Sequence, residues 1–437
     1  MAALKNFINI HVANLRDILN AYAVNIKNIV YFFMPSIIGL FINLITFPIF
    51  SKNFSSFDFA VTGYFDAIAQ IFLPIMNLSF YSFYMKDFFK RSDEENKEVR
   101  ATLVMFLSFI NICIILVGLI LLFIYFNSAK VTFPIFPYGI LSLGAIYFSI
   151  FVSFLGIDYK LRKQGLKFFI LQSISVVLPI IFGLYLVIIF NLGASGRMIG
   201  SLLAQIILGI VAIKIMFKKV KFDFQLIKKA LSFCFPLILI ALLDIPTTYI
   251  DRLILERQND IDSFALYNIG LKMSGILFAL GSAVYQAFEP DLYKNASKKR
   301  FKNFLQIVGL VFGFLIVVNI IFSIFSEPFI SLLTSGRYTD SYQFAKIMIW
   351  SNFFLLLSYA LTVILIVQDK SKSLLSIQIM VAVAGIFIFL LFIDNWEFLG
   401  ASYAMIIIKL FNCAFLVIFI WFSIRKLKSK EVKMYES

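Results

Sequence analysis

Four ionisable side chains lie inside long apolar stretches of this sequence: Asp66, Asp244, Lys272 and Lys409. A charge held in hydrocarbon costs several kcal/mol unless it faces protein or water, so each is a candidate functional group. Lys272 and Lys409 are compact cations suited to an anionic ligand. Asn268 stands one helical turn before Lys272, and Arg252 closes the preceding apolar stretch. Asp66 shares a helical face with Gln70 and Asn77, with Pro74 in the same stripe. Asp244, Thr248 and Asp251 line one face of another stretch, and Lys409 and Asn412 share a third.

Two kinds of chemistry follow. Lys272, Lys409, Asn268, Arg252 and Gln70 are candidates for binding substrate in a water-filled cavity, and Asp66, Asp244 and Asp251 for binding a coupling ion or proton. The plainer alternative is hydrogen bonding between helices, worth about 1 kcal/mol per contact. It suits Ser36, Asn43 and Asn77 better than the four charges. For Asp244 and Lys272 a buried structural pair is a further alternative, since antiparallel neighbours could bring them level. At the membrane interface, anchoring is the ordinary role of Arg252.

Catalysis finds no support. No GxxxxGK[ST] nucleotide loop is present, and the single histidine, His11, sits in the N-terminal tail. Cys113, Cys234 and Cys413 are scattered through apolar stretches, so neither a metal site nor a disulfide is expected. We expect no catalytic residues, no metal and no cofactor, and a protein that is not an enzyme.

The elements that must position these charges are membrane helices. The chain is 61% hydrophobic and 14% charged, and apolar runs of about 20 residues recur along its 437 residues. The expected fold is an all-α polytopic membrane protein of twelve transmembrane helices. They fall near 29–50, 59–84, 101–126, 133–156, 168–190, 198–217, 231–250, 263–288, 303–326, 343–367, 373–393 and 399–424. Lys and Arg alternate between their connections: 30 fall in the even-numbered connections and the two tails, and seven in the odd-numbered ones. That asymmetry places both termini in the cytoplasm. The net charge of +15 then reflects basic loops against anionic lipid, and no nucleic-acid partner is expected.

An ordered set of matches suggests an internal duplication. Phe32-Phe33-Met34-Pro35 answers Phe233-Cys234-Phe235-Pro236, and Tyr64 answers Tyr267. Gln172 answers Gln378, and Leu192-Gly193-Ala194-Ser195 answers Leu399-Gly400-Ala401-Ser402. The expected organisation is a cytoplasmic amphipathic segment (1–28), a six-helix bundle (29–217), a cytoplasmic linker (218–230), a second six-helix bundle (231–424) and a basic cytoplasmic tail (425–437). Six spans per unit gives both bundles one orientation, related about the membrane normal. Pro35 and Pro48 in span one, and Pro236 and Pro246 in span seven, free backbone groups and are expected hinges.

The stretch from Leu231 to Lys294 resembles spans seven and eight of the Wzx-type polysaccharide flippases. It carries Pro236, Asp251-Arg252, Tyr267, Lys272, Gln286-Ala287, Pro290 and Tyr293-Lys294 in the family's order. LLTSGRYTDSYQFAKIMIW (332–350) and the paired LGAS segments extend the resemblance along the chain. It implies the multidrug/oligosaccharidyl-lipid/polysaccharide exporter (MOP) superfamily, with two MATE-like six-helix bundles around a partly cationic cavity. The implied function is alternating-access transfer of undecaprenyl-pyrophosphate-linked oligosaccharide, O-antigen or capsule units, from the inner to the outer leaflet. The implied location is the bacterial cytoplasmic (inner) membrane. Implied partners are that lipid-linked glycan, membrane lipids, and the polysaccharide polymerase and chain-length machinery. Lys272 and Lys409 would meet the pyrophosphate. The first half departs from the pattern in having few intramembrane cations, and Asp66 and Asp244 add negative charge. A drug or cation antiporter of the same fold is the alternative, and a membrane glycosyltransferase or polymerase a distant third, opposed by the short lysine-poor connections.

Overall fold

In an apolar medium every backbone N–H and C=O must be satisfied within its own segment, and long apolar runs answer by becoming helices. The computed structural model describes residues 30–217, 222–298, 300–368 and 370–435 and is helical almost throughout. The expected amphipathic segment 1–28 and positions 218–221 of the expected linker lie outside the described residues. Among the described residues are eleven helices long and apolar enough to cross a membrane. The last of these, with 49 residues, breaks within itself.

The first half comprises α1 (Val30–Asn53), α2 (Ser56–Asn77), α3 (Phe80–Lys86), α4 (Asp93–Ala129), α5 (Tyr138–Leu161), α6 (Gly165–Ile189) and α7 (Gly193–Met216). The second comprises α8 (Phe224–Leu243), the short α9 (Ile245–Thr248) and α10 (Ile250–Leu255), then α11 (Ile261–Ser297), α12 (Phe301–Thr334), α13 (Tyr342–Val367) and α14 (Ser371–Tyr435). Within the first half α5, α6 and α7 pack on one another; within the second α11, α12, α13 and α14 do. α2 packs along α11, which joins the halves.

Helix ends are set by local chemistry. Ser55 and Asp58 cap α2 reciprocally, as Ser92 and Glu95 cap α4, and Asp260 caps α11. Asp223 caps α8, so Phe224–Ala230 of the expected linker is the first turns of a helix. Span two is not one helix: Leu78 and Ser79, at φ of 51° and 50°, turn the chain between α2 and α3. Span seven is broken twice: at Asp244, where Pro246 cannot donate to the preceding turn, and again at Tyr249. Pro236, by contrast, sits inside continuous α8.

α14 breaks at Trp396 and Glu397, where Glu397 has φ 48°. A Cβ on Gly400 would run into the Phe392 carbonyl oxygen, so this turn needs a glycine. The matching Gly193, at φ +50°, leaves room for the Asp58 carboxylate, which accepts from Ala194 N at 2.6 Å and caps α7. Both LGAS segments therefore open a helix after a tight turn.

The halves close on each other at the lysine-poor end. Arg337, between α12 and α13, donates from Nη1 to the Ser51 and Lys52 carbonyls at 2.8 and 2.7 Å, and Tyr338 Oη donates to the Phe54 carbonyl at 2.8 Å. Thr132 N donates to Glu256 at 2.6 Å. One apolar core runs through this end from Phe54, Phe59 and Tyr64 to Tyr267 and Phe344. At the lysine-rich end a separate core packs the start of α8 against the first half. Buried Asp158 there accepts from Tyr84 at 2.6 Å, from Arg100 at 2.6 Å and from Arg162 at 3.0 Å.

Candidate functional site

A cavity of about 610 Å³ lies between the halves, walled by α1, α2, α6, α7 and α11. Apolar residues make most of it: Pro35, Gly39, Leu40 and Phe47 of α1, Val176, Pro179 and Ile180 of α6, and Ile276 and Ala279 of α11. Its lysine-poor end is stoppered by aromatic rings, with Phe54 5.3 Å from Phe50 and 5.1 Å from Phe59, and Phe59 5.1 Å from Tyr338.

Three charges enter this apolar space. Asp66 comes from the middle of α2, Arg197 from the second turn of α7, and Lys272 from the fourth turn of α11. Asp66 keeps 54% of its side-chain surface accessible while its neighbours Phe65 and Ala67 are fully buried. It therefore faces open space, not lipid or core. Arg197 Nη2 stands 3.9 Å from Asp66 Oδ2, a loose pair, and Lys272 Nζ lies 5.4 Å over the Phe59 ring. Two cations against one carboxylate leave the site net positive, and its partial apolar surroundings strengthen attraction for an anion.

The remaining candidates fall elsewhere. Lys409 Nζ lies 3.3 Å from both Thr247 and Thr248 hydroxyls, on the broken span seven. Asp244 is within electrostatic reach of Lys409, so these two belong together and Lys272 belongs with Asp66 and Arg197. Asp251 is buried and accepts from Tyr267 Oη at 2.5 Å, with Arg252 Nε 3.9 Å away. The four charges Lys409, Arg252, Asp244 and Asp251 balance. Asn268 lies outside the cavity: it donates to the Phe264 carbonyl at 2.9 Å and packs where α2 passes at Gly63, where an added Cβ would run into its amide. Gln70 lines a second, smaller cavity beside Asp66. Of the expected hinges, Pro35 lines the main cavity and Pro48 belongs to α1; Pro246 lies at the break in span seven.

Arg197 is the cavity residue that sequence reading missed. Placing span six at 198–217 left it in a connection, whereas α7 starts at Gly193. The signal was the LGAS motif, whose Gly193 marks the turn and so puts Arg197 inside the helix. Among the described residues no group of three or more His, Cys, Asp or Glu could hold a metal.

Fold and cavity together define a helical protein whose long apolar helices can cross a membrane many times, with two packed halves around a central cavity. No protein-family model and no curated protein matches the sequence. Solved structures do. The chain is similar to a lipid II flippase, MurJ, in an inward closed conformation, with 18% identity, TM-score 0.68, and coverage of 90% of this chain and 87% of that one. It is similar to a point mutant of the Vibrio cholerae MATE transporter VcmN, at 15% identity and TM-score 0.64, covering 92% and 97%. A multidrug resistance MATE family transporter of the MOP superfamily, inward-facing, matches at 13% identity and TM-score 0.64, covering 91% and 99%. The chain thus has the fold these proteins share, and all three are flippases or transporters rather than enzymes.

Proposed function

We propose that the chain is a flippase for undecaprenyl-pyrophosphate-linked oligosaccharide in the bacterial cytoplasmic membrane. It would move O-antigen or capsule units from the inner to the outer leaflet by alternating access. The observation that carries the reading is the net-positive cluster of Arg197 and Lys272 around Asp66, set in a largely apolar cavity whose other polar lining, Ser36, Asn43, Thr46 and Ser201, is uncharged. A lipid-linked pyrophosphate has that shape: a dianionic head on an apolar chain. Similarity of fold to a lipid II flippase agrees with it.

We read the two arms of α14 as separate spans, for twelve in all, with both termini on the lysine-rich, cytoplasmic side. The two halves, α1 to α7 and α8 to α14, are then two bundles joined on the cytoplasmic side, with Phe224–Ala230 belonging to the second bundle. The aromatic stopper seals the outer end, so the cavity loads from inside. Bending at Pro35, Pro48, Pro236 and Pro246 lets the bundles rock. Lys272 and Arg197 hold the pyrophosphate, and Lys409 acts with Asp244 inside the second bundle, where an ion could couple to rocking. Asp251 and Arg252 steady that cluster.

A second reading, a drug or cation antiporter, is favoured by one observation: the accessible Asp66 carboxylate in the cavity. Two cations facing one acid repel a cationic drug, which argues for the flippase. The test is reconstitution in vesicles loaded with fluorescent undecaprenyl-pyrophosphoryl oligosaccharide. We expect protein-dependent arrival of the saccharide in the opposite leaflet. Ion-driven uptake of amphipathic cations, with no saccharide transfer, would establish the antiporter instead.

A further inference from the structure

The smaller cavity, about 220 Å³, lies within the first half directly behind the Asp66–Arg197 pair. Asp66, Arg197 and Ser201 line both cavities, so the two are contiguous at the charges. Its wall differs in kind from that of the main cavity. Thr62, Gln70, Ser142, Ser149, Ser201 and Gln205 contribute four hydroxyls and two amides. Beyond the shared Asp66 and Arg197, none of these groups is ionic.

The wall has hydrogen-bonding capacity to spare. Thr62, Ser142 and Ser149 donate their hydroxyl protons to carbonyls of their own helices, at 2.8, 3.1 and 2.9 Å, which leaves oxygen lone pairs free. Gln205 Oε1 is buried and has no hydrogen-bond partner among the described residues. An orphaned amide oxygen within a membrane bundle is costly, and its ordinary explanations are water or a ligand that donates to it. Amides and hydroxyls facing one another, without added charge, form the kind of surface that recognises vicinal hydroxyls. The space, about 220 Å³, is far more than one water needs and admits a small polar ring. A metal cation is disfavoured, because Arg197 stands at the mouth.

Connectivity then assigns the occupant. In a lipid-linked saccharide the first sugar is bonded directly to the pyrophosphate, so it must lie within a bond or two of the groups that hold the phosphates. We propose that this pocket is a saccharide subsite that receives the sugar bonded to the pyrophosphate, with Gln70 and Gln205 as its amide ligands. The proposal rests on the flippase reading. It divides the substrate among three adjoining regions: prenyl chain along α1 and α6, pyrophosphate at Arg197 and Lys272, first sugar behind them.

The test measures binding to the purified full chain in lipid nanodiscs. The probes are bare undecaprenyl pyrophosphate and the same lipid carrying a single glucose, galactose or N-acetylglucosamine. Wild type should bind at least one of the sugar-bearing lipids ten-fold or more tighter than the bare lipid. Gln70→Leu with Gln205→Leu should abolish that difference and leave bare-lipid binding within two-fold. Ala145→Phe, which fills the pocket from α5 and keeps both amides, should do the same and guards against misfolding of the double variant. Lys272→Ala should weaken bare and sugar-bearing lipids alike. If wild type binds all four lipids equally, or both pocket variants keep the difference, the subsite is refuted while the pyrophosphate site stands. If wild type binds none of the four, the flippase reading itself fails and the subsite with it.

Discussion

Removing the contacts between Arg337–Tyr338 and the end of α1 should open the lysine-poor end. The perturbation is Arg337→Ala with Tyr338→Phe, which deletes three hydrogen bonds between halves and keeps the aromatic ring beside Phe59. Arg337 is exposed, so its two bonds to carbonyls contribute about 0.5 kcal/mol each. The Tyr338 hydroxyl is buried, and its loss leaves the Phe54 carbonyl unpaired, at about 1–2 kcal/mol. The sum, about 2–3 kcal/mol, shifts the closed-to-open ratio by roughly 30- to 150-fold. Spin labels at Asn53 and Asp340, on a background without Cys113, Cys234 and Cys413, report the distance across this end. Wild type should give one short distance, and the double variant a second, longer population. A distribution unchanged by the double variant would mean that apolar packing alone keeps this end shut, and the latch would be wrong.

Asp158→Ala should cost about 3–5 kcal/mol, because Arg100 is left charged and nearly buried; a thermal-unfolding midpoint in detergent within a degree of wild type would contradict this. Asp244→Asn should lower the amount of folded protein through Lys409, and Lys409→Met should restore it, whereas Lys272→Met should not. Gly200→Val should separate α6 from α7, since a Cβ there would run into the backbone at Gly183; normal protein levels would refute that close approach. Reporter fusions at Glu94 should read cytoplasmic and those at Ser55 and Asp260 periplasmic, and the reverse would overturn the orientation.

The spans were legible because a helix in lipid needs about 20 apolar residues, and little else competes with that signal. Breaks were less so. Pro246 announced the break in span seven, yet the turn at Leu78 and Ser79 carries no glycine and no proline at its own positions. Lys272 stood out as a charge in an apolar run. Its partner Asp66 stood out in the same way, but Arg197 did not, because it lies near a helix start and was read as connection. The expected closeness of Asp244 and Lys272 followed from depth alone. Depth says nothing about azimuth, and α11 turns Lys272 toward α2 and α7 while the broken span seven turns Asp244 toward α14. Gln205 was invisible for the same reason: an amide on a helix has no meaning until the facing helix is known.

The most direct measurement of the central claim is surface polysaccharide in a strain whose own flippase is replaced by this chain or by its Arg197→Ala, Lys272→Ala double variant, at matched protein levels. The account predicts polysaccharide with the wild-type chain and an accumulation of lipid-linked units in the inner leaflet with the double variant. Wild-type polysaccharide from the double variant would contradict it.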